Sequence, residues 1–305
     1  MGVLADEDIT PLLVVSVPFL GGIAALGMTA LLLGRVRSAK AGAGRHVAVA
    51  EQIAEGATSF LTLETKLVAP LVAFLAVCVV GMLQGQNEAP NAKTTHRGGW
   101  QAMICVFCGA ATSAAAAWAS AKIASEANVK AAEAARDSAA ASLEVAFAGA
   151  TVVGFYFVSF ALLALSFLFY VFAVAQEGSG IYDIFDAVRY LTGFVLGASV
   201  FSSCARVANG VYAKAADVGA DLLGKIEGKI DGDLFKTDDP RANPATTMDN
   251  VGGIVAEVAG SGADIFESLV AAIIACASLA ETTREVCLPF WLAGFGVIAA
   301  ALGFW

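Results

Sequence analysis

Residues 145–175 read "VAFAGATVVGFYFVSFALLALSFLFYVFAVA", without one charged side chain. A bilayer core of about 30 Å is crossed by roughly 20 apolar residues in an α-helix, so this run is more than long enough to span. Similar runs recur along the chain. They predict seven membrane-length helices, at 11–34, 58–84, 99–125, 140–175, 183–227, 248–279 and 286–305, several of them long enough to require tilt or extension beyond the lipid. The expected fold is therefore all-α, a polytopic transmembrane helical bundle. The composition agrees. The chain has 305 residues, 58% of them hydrophobic and 15% charged, with a mean hydropathy of +0.74. Soluble domains are about half apolar and about a quarter charged.

The formal charge of −9 and a pI near 4.7 argue against a nucleic-acid partner. Acidic residues gather between 217 and 267, which points to a cation or a metal–anion complex. Of the cysteines, Cys105 and Cys108 have C-x-x-C spacing in "MICVFCG" (103–109), but no second pair accompanies them and His46 and His96 are remote in sequence. They are expected to pack between helices as small apolar residues. The opening "MGVLADEDITPLL" lacks a basic n-region and has Asp6 where a myristoylation signal carries Ser or Thr, so neither a cleaved signal nor a lipid is expected.

Basic residues set an expected orientation. Arg35, Arg37, Lys40 and Arg45 follow the first helix, Lys122, Lys130 and Arg136 follow the third, and Lys214, Lys225, Lys229, Lys236 and Arg241 follow the fifth. Lys93, Arg97 and Arg284 on the other side are far fewer. The N-terminus is thus expected outside or lumenal, with 212–249 cytoplasmic. The segment "AKAGAGRH" (39–46) is expected as a flexible cytoplasmic loop and 87–99 as an external turn. The alanine-rich stretch from 111 to 142 suits close helix approach. Residues 1–305 are read as one transmembrane domain, with 212–249 forming the cytoplasmic end of the fifth helix and the loop after it.

The stretch "KAADVGADLLGKIE" (214–227) interrupts the apolar pattern. At about 100° per residue, counted from Lys214, Asp217 falls near 300°, Asp221 near 340°, Lys225 near 20° and Arg206 near 280°. All five share one face. The sixth helix repeats the device: counted from Asp249, Glu257 lies at about 80°, Asp264 at about 60° and Glu267 near 0°. Charges in such segments are costly and normally face a partner or a wet cavity. Interhelical ion pairs would account for some of them. Carboxylates beside lysines, among glycines in "ADVGAD", "DNVGG" and "GSGAD", also suit a Mg²⁺–phosphate ligand, since Mg²⁺ takes oxygen ligands and Lys meets the remaining negative charge. The fragment "GADLLGK" (219–225) fits G-x-x-x-x-G-K, but Ile226 follows instead of Ser or Thr and no strand precedes, so it is not a Walker A loop.

These motifs together, "KAADVGADLLGKIE" with "DDPRANP" (238–244), "DNVGG" (249–253) and "ADIFES" (263–268), resemble the ion-pumping membrane pyrophosphatases. "SEANVKAAEAA" (125–135) and "EVAFAGATVVGF" (144–155) resemble family segments on neighbouring helices. The resemblance implies a homodimer of subunits with about sixteen helices, hydrolysing cytoplasmic inorganic pyrophosphate held with Mg²⁺ while moving H⁺ or Na⁺. By that resemblance Lys214, Asp217, Asp221 and Lys225 bind substrate, and Asp217, Asp221 and Asp249 hold Mg²⁺. Glu257 stands where an aspartate helps activate the attacking water. Arg206, Asp264 and Glu267 match charged positions of the ion pathway. K⁺ dependence and the choice between H⁺ and Na⁺ stay open, as does the membrane concerned.

The chain departs from the family's wording. Where the family has D-N-V-G-D-N-V-G-D, residues 249–257 read "DNVGGIVAE": Gly253 replaces an aspartate, Ile254 an asparagine, Ala256 a glycine and Glu257 an aspartate. Thr237 stands for an acid before "DDPR", Ala242 interrupts "PRNP", and Ala148 occupies an arginine's place. Seven helices match only the family's first half, so opposing lysines and aspartates would have to come from elsewhere. Three readings follow: a pump piece that needs a chain supplying the second half, a catalytically degenerate relative serving as a structural subunit of a larger membrane complex, or two copies rebuilding a two-fold site.

Overall fold

The structure is a computed structural model describing residues 9–87, 98–174, 184–226 and 244–304. The described residues form α1 (Pro11–Ser38), α2 (Arg45–Asn87), α3 (Gly99–Ala134), α4 (Ala139–Val174), α5 (Ile184–Ile226), α6 (Pro244–Gly253), a π-helical segment (Ile254–Gly260), α7 (Ser261–Ser278) and α8 (Thr283–Phe304). Since α6, the π segment and α7 run on as one rod, seven helices are long and apolar enough to cross a membrane. The expected all-α, seven-span bundle is what forms.

Local chemistry sets several ends. Thr10 caps α1, its hydroxyl accepting from the Leu13 N–H at 3.3 Å, with Pro11 opening the first turn. Between α3 and α4, Ser138 caps the new helix by accepting from Ala141 N at 3.1 Å. The turn from α1 to α2 uses Gly42 (φ 73°) and Gly44 (φ 104°), a backbone region that disfavours side chains.

Two expectations need correction here. Helix α2 begins at Arg45, not near 58, so the loop expected at 39–46 shrinks to 39–44. The first turn of α2 is held by tertiary contacts: His46 has Nε2 3.3 Å from Glu133 of α3 and 3.1 Å from the Ala41 carbonyl, and Arg136 sits 3.3 Å from the same carboxylate. Beside them Lys130 reaches Glu126 at 3.0 Å and the Arg37 carbonyl at 3.1 Å. These contacts gather the ends of α1, α2 and α3 at one level. The second correction is the π segment inside the sixth span, where an uninterrupted α-helix was expected.

The packing divides into two apolar clusters. One joins α1, α4, α7, α8 and the first half of α5 around Phe169, Phe194, Phe266 and Phe290. The other joins α2, α3, the middle of α5 and the rod from α6 onward around Leu61, Val106, Phe201 and Val255. Lipid is as apolar as leucine, so close contact rather than burial holds such helices together. The seam between α3 and α5 shows it. A Cβ placed on Gly197 would strike the Val106 carbonyl, and one on Gly109 would strike the Phe194 carbonyl. These glycines let the backbones touch, which fixes the height and rotation of α5.

Candidate functional site

Helix α5 presents a file of polar side chains along one face, as its spacing predicts. Near its C-terminal end Lys214 and Asp217 form an exposed pair, Nζ to Oδ2 3.8 Å, with Asp221 exposed one turn on. Asp249 on α6 lies within electrostatic reach of Asp217, Asp221 and Lys214. Two spans thus bring three carboxylates and a lysine to one place. Lys225 lies in the last turn of α5, but its side chain is outside the described residues, as are Thr237 and the whole of 227–243.

Two turns deeper, Arg206 of α5 meets Asp264 of α7, Nε to Oδ2 3.6 Å, and its Nη1 donates to Ser261 Oγ at 2.8 Å. The interhelical ion pair weighed from the sequence therefore exists at this level. Deeper still, Ser199 Oγ donates a short hydrogen bond to Glu267 Oε1. At about 1.5 Å rise per residue, the file from Asp221 to Ser199 covers roughly 33 Å, the thickness of a bilayer core. All the sequence-derived positions with described side chains except Glu257 join it.

Glu257 lies within the π segment and is exposed. Its phase, counted at α-helical pitch, does not hold, because i→i+5 bonding winds the chain less per residue than an α-helix. The wider ring leaves carbonyls free for side chains of α5. Asn209, buried, donates Nδ2 to the Val255 carbonyl at 3.0 Å. Ser261 Oγ lies 3.4 Å from the Ala256 carbonyl. Ser199, Asn209 and Ser261 were missed in the sequence because single small polar residues on an apolar helix carry no periodic signal. Gly253 is exposed, with nothing within 4 Å of where a Cβ would stand.

The donors are hard carboxylate oxygens, the chemistry Mg²⁺ prefers. Among the described residues no three His, Cys, Asp or Glu side chains converge closely enough to cage an ion by themselves. That fits Mg²⁺, which usually keeps several waters and binds one or two carboxylates together with phosphate oxygens. The cysteines whose structure is described are free thiols, Cys105 among them and buried.

Seven membrane-length helices with a charged file along two touching spans define a multi-pass integral membrane protein. The family model described as "Inorganic H+ pyrophosphatase" matches residues 23–305, and the chain belongs to that family. It is 35% identical over 274 residues to the "K(+)-stimulated pyrophosphate-energized sodium pump" of Thermotoga maritima, covering 86% of this chain and 35% of that protein. It is 32% identical over 289 residues to the "K(+)-insensitive pyrophosphate-energized proton pump" of Methanosarcina mazei, covering 93% of this chain and 38% of that one. The chain therefore spans well under half the length of these curated relatives. Their names differ in both the ion and the response to potassium.

Proposed function

We propose that this chain supplies the first half of an ion-translocating inorganic pyrophosphatase, completed by a second polypeptide or segment. The observation that carries the reading is the placement of Asp249 against Asp217, Asp221 and Lys214 from a different span. Three carboxylates and one ammonium group leave excess negative charge, which a divalent cation would relieve. When bound, Mg²⁺ would neutralise phosphate charge and lower the barrier to attack by water. Lys214 would donate to a terminal phosphate oxygen, and Asp217, Asp221 and Asp249 would supply carboxylate oxygens to Mg²⁺, one or two to an ion, with water and phosphate oxygens completing its shell. Glu257 would accept the proton of the attacking water. Its methylene excess over aspartate and its place in the wider π turn set where that oxygen can reach. Arg206, Asp264, Glu267 and Ser199 would carry H⁺ or Na⁺ along the file beneath.

Gly253 leaves room, without clash, for the carboxylate found there elsewhere in the family, and its absence weakens the metal's hold. The test is pyrophosphate binding by the purified full chain at fixed Mg²⁺, in the native form and in Asp217→Asn and Gly253→Asp. Binding should depend on Mg²⁺, weaken about tenfold or more in Asp217→Asn, equivalent to about 1.4 kcal/mol, and tighten in Gly253→Asp. Hydrolysis should require addition of the complementary half. If neither substitution changes binding, the site is misplaced. If no form binds pyrophosphate, the chain serves its complex as a structural subunit instead.

A further inference from the structure

From 57 to 76 the buried side of α2 consists of Ala57, Leu61, Glu64, Val68, Val72 and Ala76, one residue per turn. Five are apolar and the third is a glutamate. Glu64 is 5% exposed, and neither carboxyl oxygen has a hydrogen-bond partner among the described residues. Its titratable neighbour is the Cys204 thiol of α5. Around it α3, α5, α6 and the π segment contribute apolar residues, among them Val106, Ala117, Ala205, Val251 and Val255; α3 and α5 also bury Ser113, Ser120, Ser202 and Asn209, none of which bonds the Glu64 carboxyl. Lys66 is exposed, and two residues on it lies on another side of the helix. An ionised carboxylate left here without cation or donor would cost several kcal/mol, on the order expected for a buried unpaired charge. The neutral acid costs far less.

Beside it lies a pocket of about 190 Å³ between α2, α3 and α5, lined by Thr65, Val68, Phe107, Ala111 and Phe201 among others. Val68 is one turn on from Glu64, and Phe201 one turn before Cys204. Thr65, Phe107 and Ala111 are exposed on the outer surface of the bundle, so the pocket opens outward. Cys204 and Arg206, two residues apart, are turned about 200° from one another on α5. Glu64 is therefore behind α5, away from the file of Arg206, Asp264 and Glu267.

We infer that Glu64 is a proton-binding site of its own, a carboxylic acid that keeps its proton at neutral pH inside the bundle, one helical turn from a pocket that opens on the lipid-facing surface. The inference rests on burial and lack of partners, not on the pyrophosphatase reading. It defines a reactive class as well: a neutral acid beside an apolar opening is a target for hydrophobic carbodiimides. The acid's proton passes to one carbodiimide nitrogen and its oxygen adds to the central carbon. The resulting O-acylurea then rearranges by acyl transfer to nitrogen, giving a stable N-acylurea with no atom lost.

Two measurements on the full chain in lipid vesicles test it. Infrared spectra at neutral pH should show the carbonyl band of a protonated acid free of hydrogen bonds, and Glu64→Gln should lose that band while melting at the native temperature, since glutamine matches the neutral acid in shape. Treatment of the native chain with N,N′-dicyclohexylcarbodiimide, followed by peptide mass mapping, should modify Glu64 in preference to the exposed Glu51 and Glu55 of the same helix, and less as pH rises. A native spectrum without the band, or Glu51 and Glu55 modified while Glu64 is spared, overturns the inference, whether or not the variant folds and whether or not the chain binds pyrophosphate.

Discussion

Replacing Gly197 by alanine should loosen the bundle where α3 and α5 touch. The added Cβ would meet the Val106 carbonyl oxygen head-on and lie 2.8 Å from that carbonyl carbon and 3.0 Å from Ala110 N. All three are backbone atoms of a helix, so no rotamer change makes room and α3 must back away from α5 as a body. Overpacking of this kind costs about 1–3 kcal/mol, and a rigid obstacle places it in the upper part of that range. Alanine returns about 1 kcal/mol through helix propensity. The net loss is about 1–2 kcal/mol, a fall in melting temperature of about 2–3 °C for a chain of this size. Gly210 on the same helix supplies the control: nothing lies within 4 Å of its missing Cβ, so Gly210→Ala should raise stability by about 0.5–1 kcal/mol. The assay is thermal unfolding of both variants in one detergent, followed by cysteine accessibility or intrinsic fluorescence. The two shifts should have opposite signs. A Gly197→Ala protein at least as stable as Gly210→Ala would show that the two backbones do not touch there, and the placement of α5 argued from that contact would fall with it.

Other perturbations separate structural from functional roles. Asn209→Leu removes the amide that satisfies the Val255 carbonyl; it should cost about 1–2 kcal/mol and speed hydrogen exchange within 254–260 more than in α8. Lys130→Met leaves Glu126 and the Arg37 carbonyl without their shared donor. It should destabilise by about 1–2 kcal/mol, read as a lower melting temperature. Arg206→Gln breaks a pair whose members are each about half exposed, so its stability effect should stay below about 1 kcal/mol. In the completed enzyme the same change should lower ion transport measured with a vesicle-trapped dye.

The seven spans were legible because runs such as 145–175 have no alternative to lipid or a deep core. The charged face of α5 was legible because Arg206, Lys214, Asp217 and Asp221 recur at helical spacing over an uninterrupted helix. The start of α2 was not: "RHVAVAEQIAEGA" mixes polar and apolar residues, and the contact at its first turn, His46 to Glu133, joins residues far apart in sequence. The π segment was invisible for another reason. Its residues, "IVAEVAG", have ordinary helical composition, and the amide that satisfies the Val255 carbonyl sits on a different span. Glu64 carried no signal in the sequence, because only the tertiary packing of α3, α5 and the sixth span reveals that it faces inward.

A stretch wound i→i+5 holds one residue more than the α-helix that would fill the same length. Such a surplus need not stay where it is, since each step of one residue exchanges one set of backbone partners for the next. Were it handed on past Ser261, the part of the rod bearing Asp264 would turn by about a quarter of a revolution against α5, while the Asp249 end stayed still. Asn209 grips the Val255 carbonyl where the surplus now sits, so the sixth span is built less like a strut than like a screw with one thread out of register.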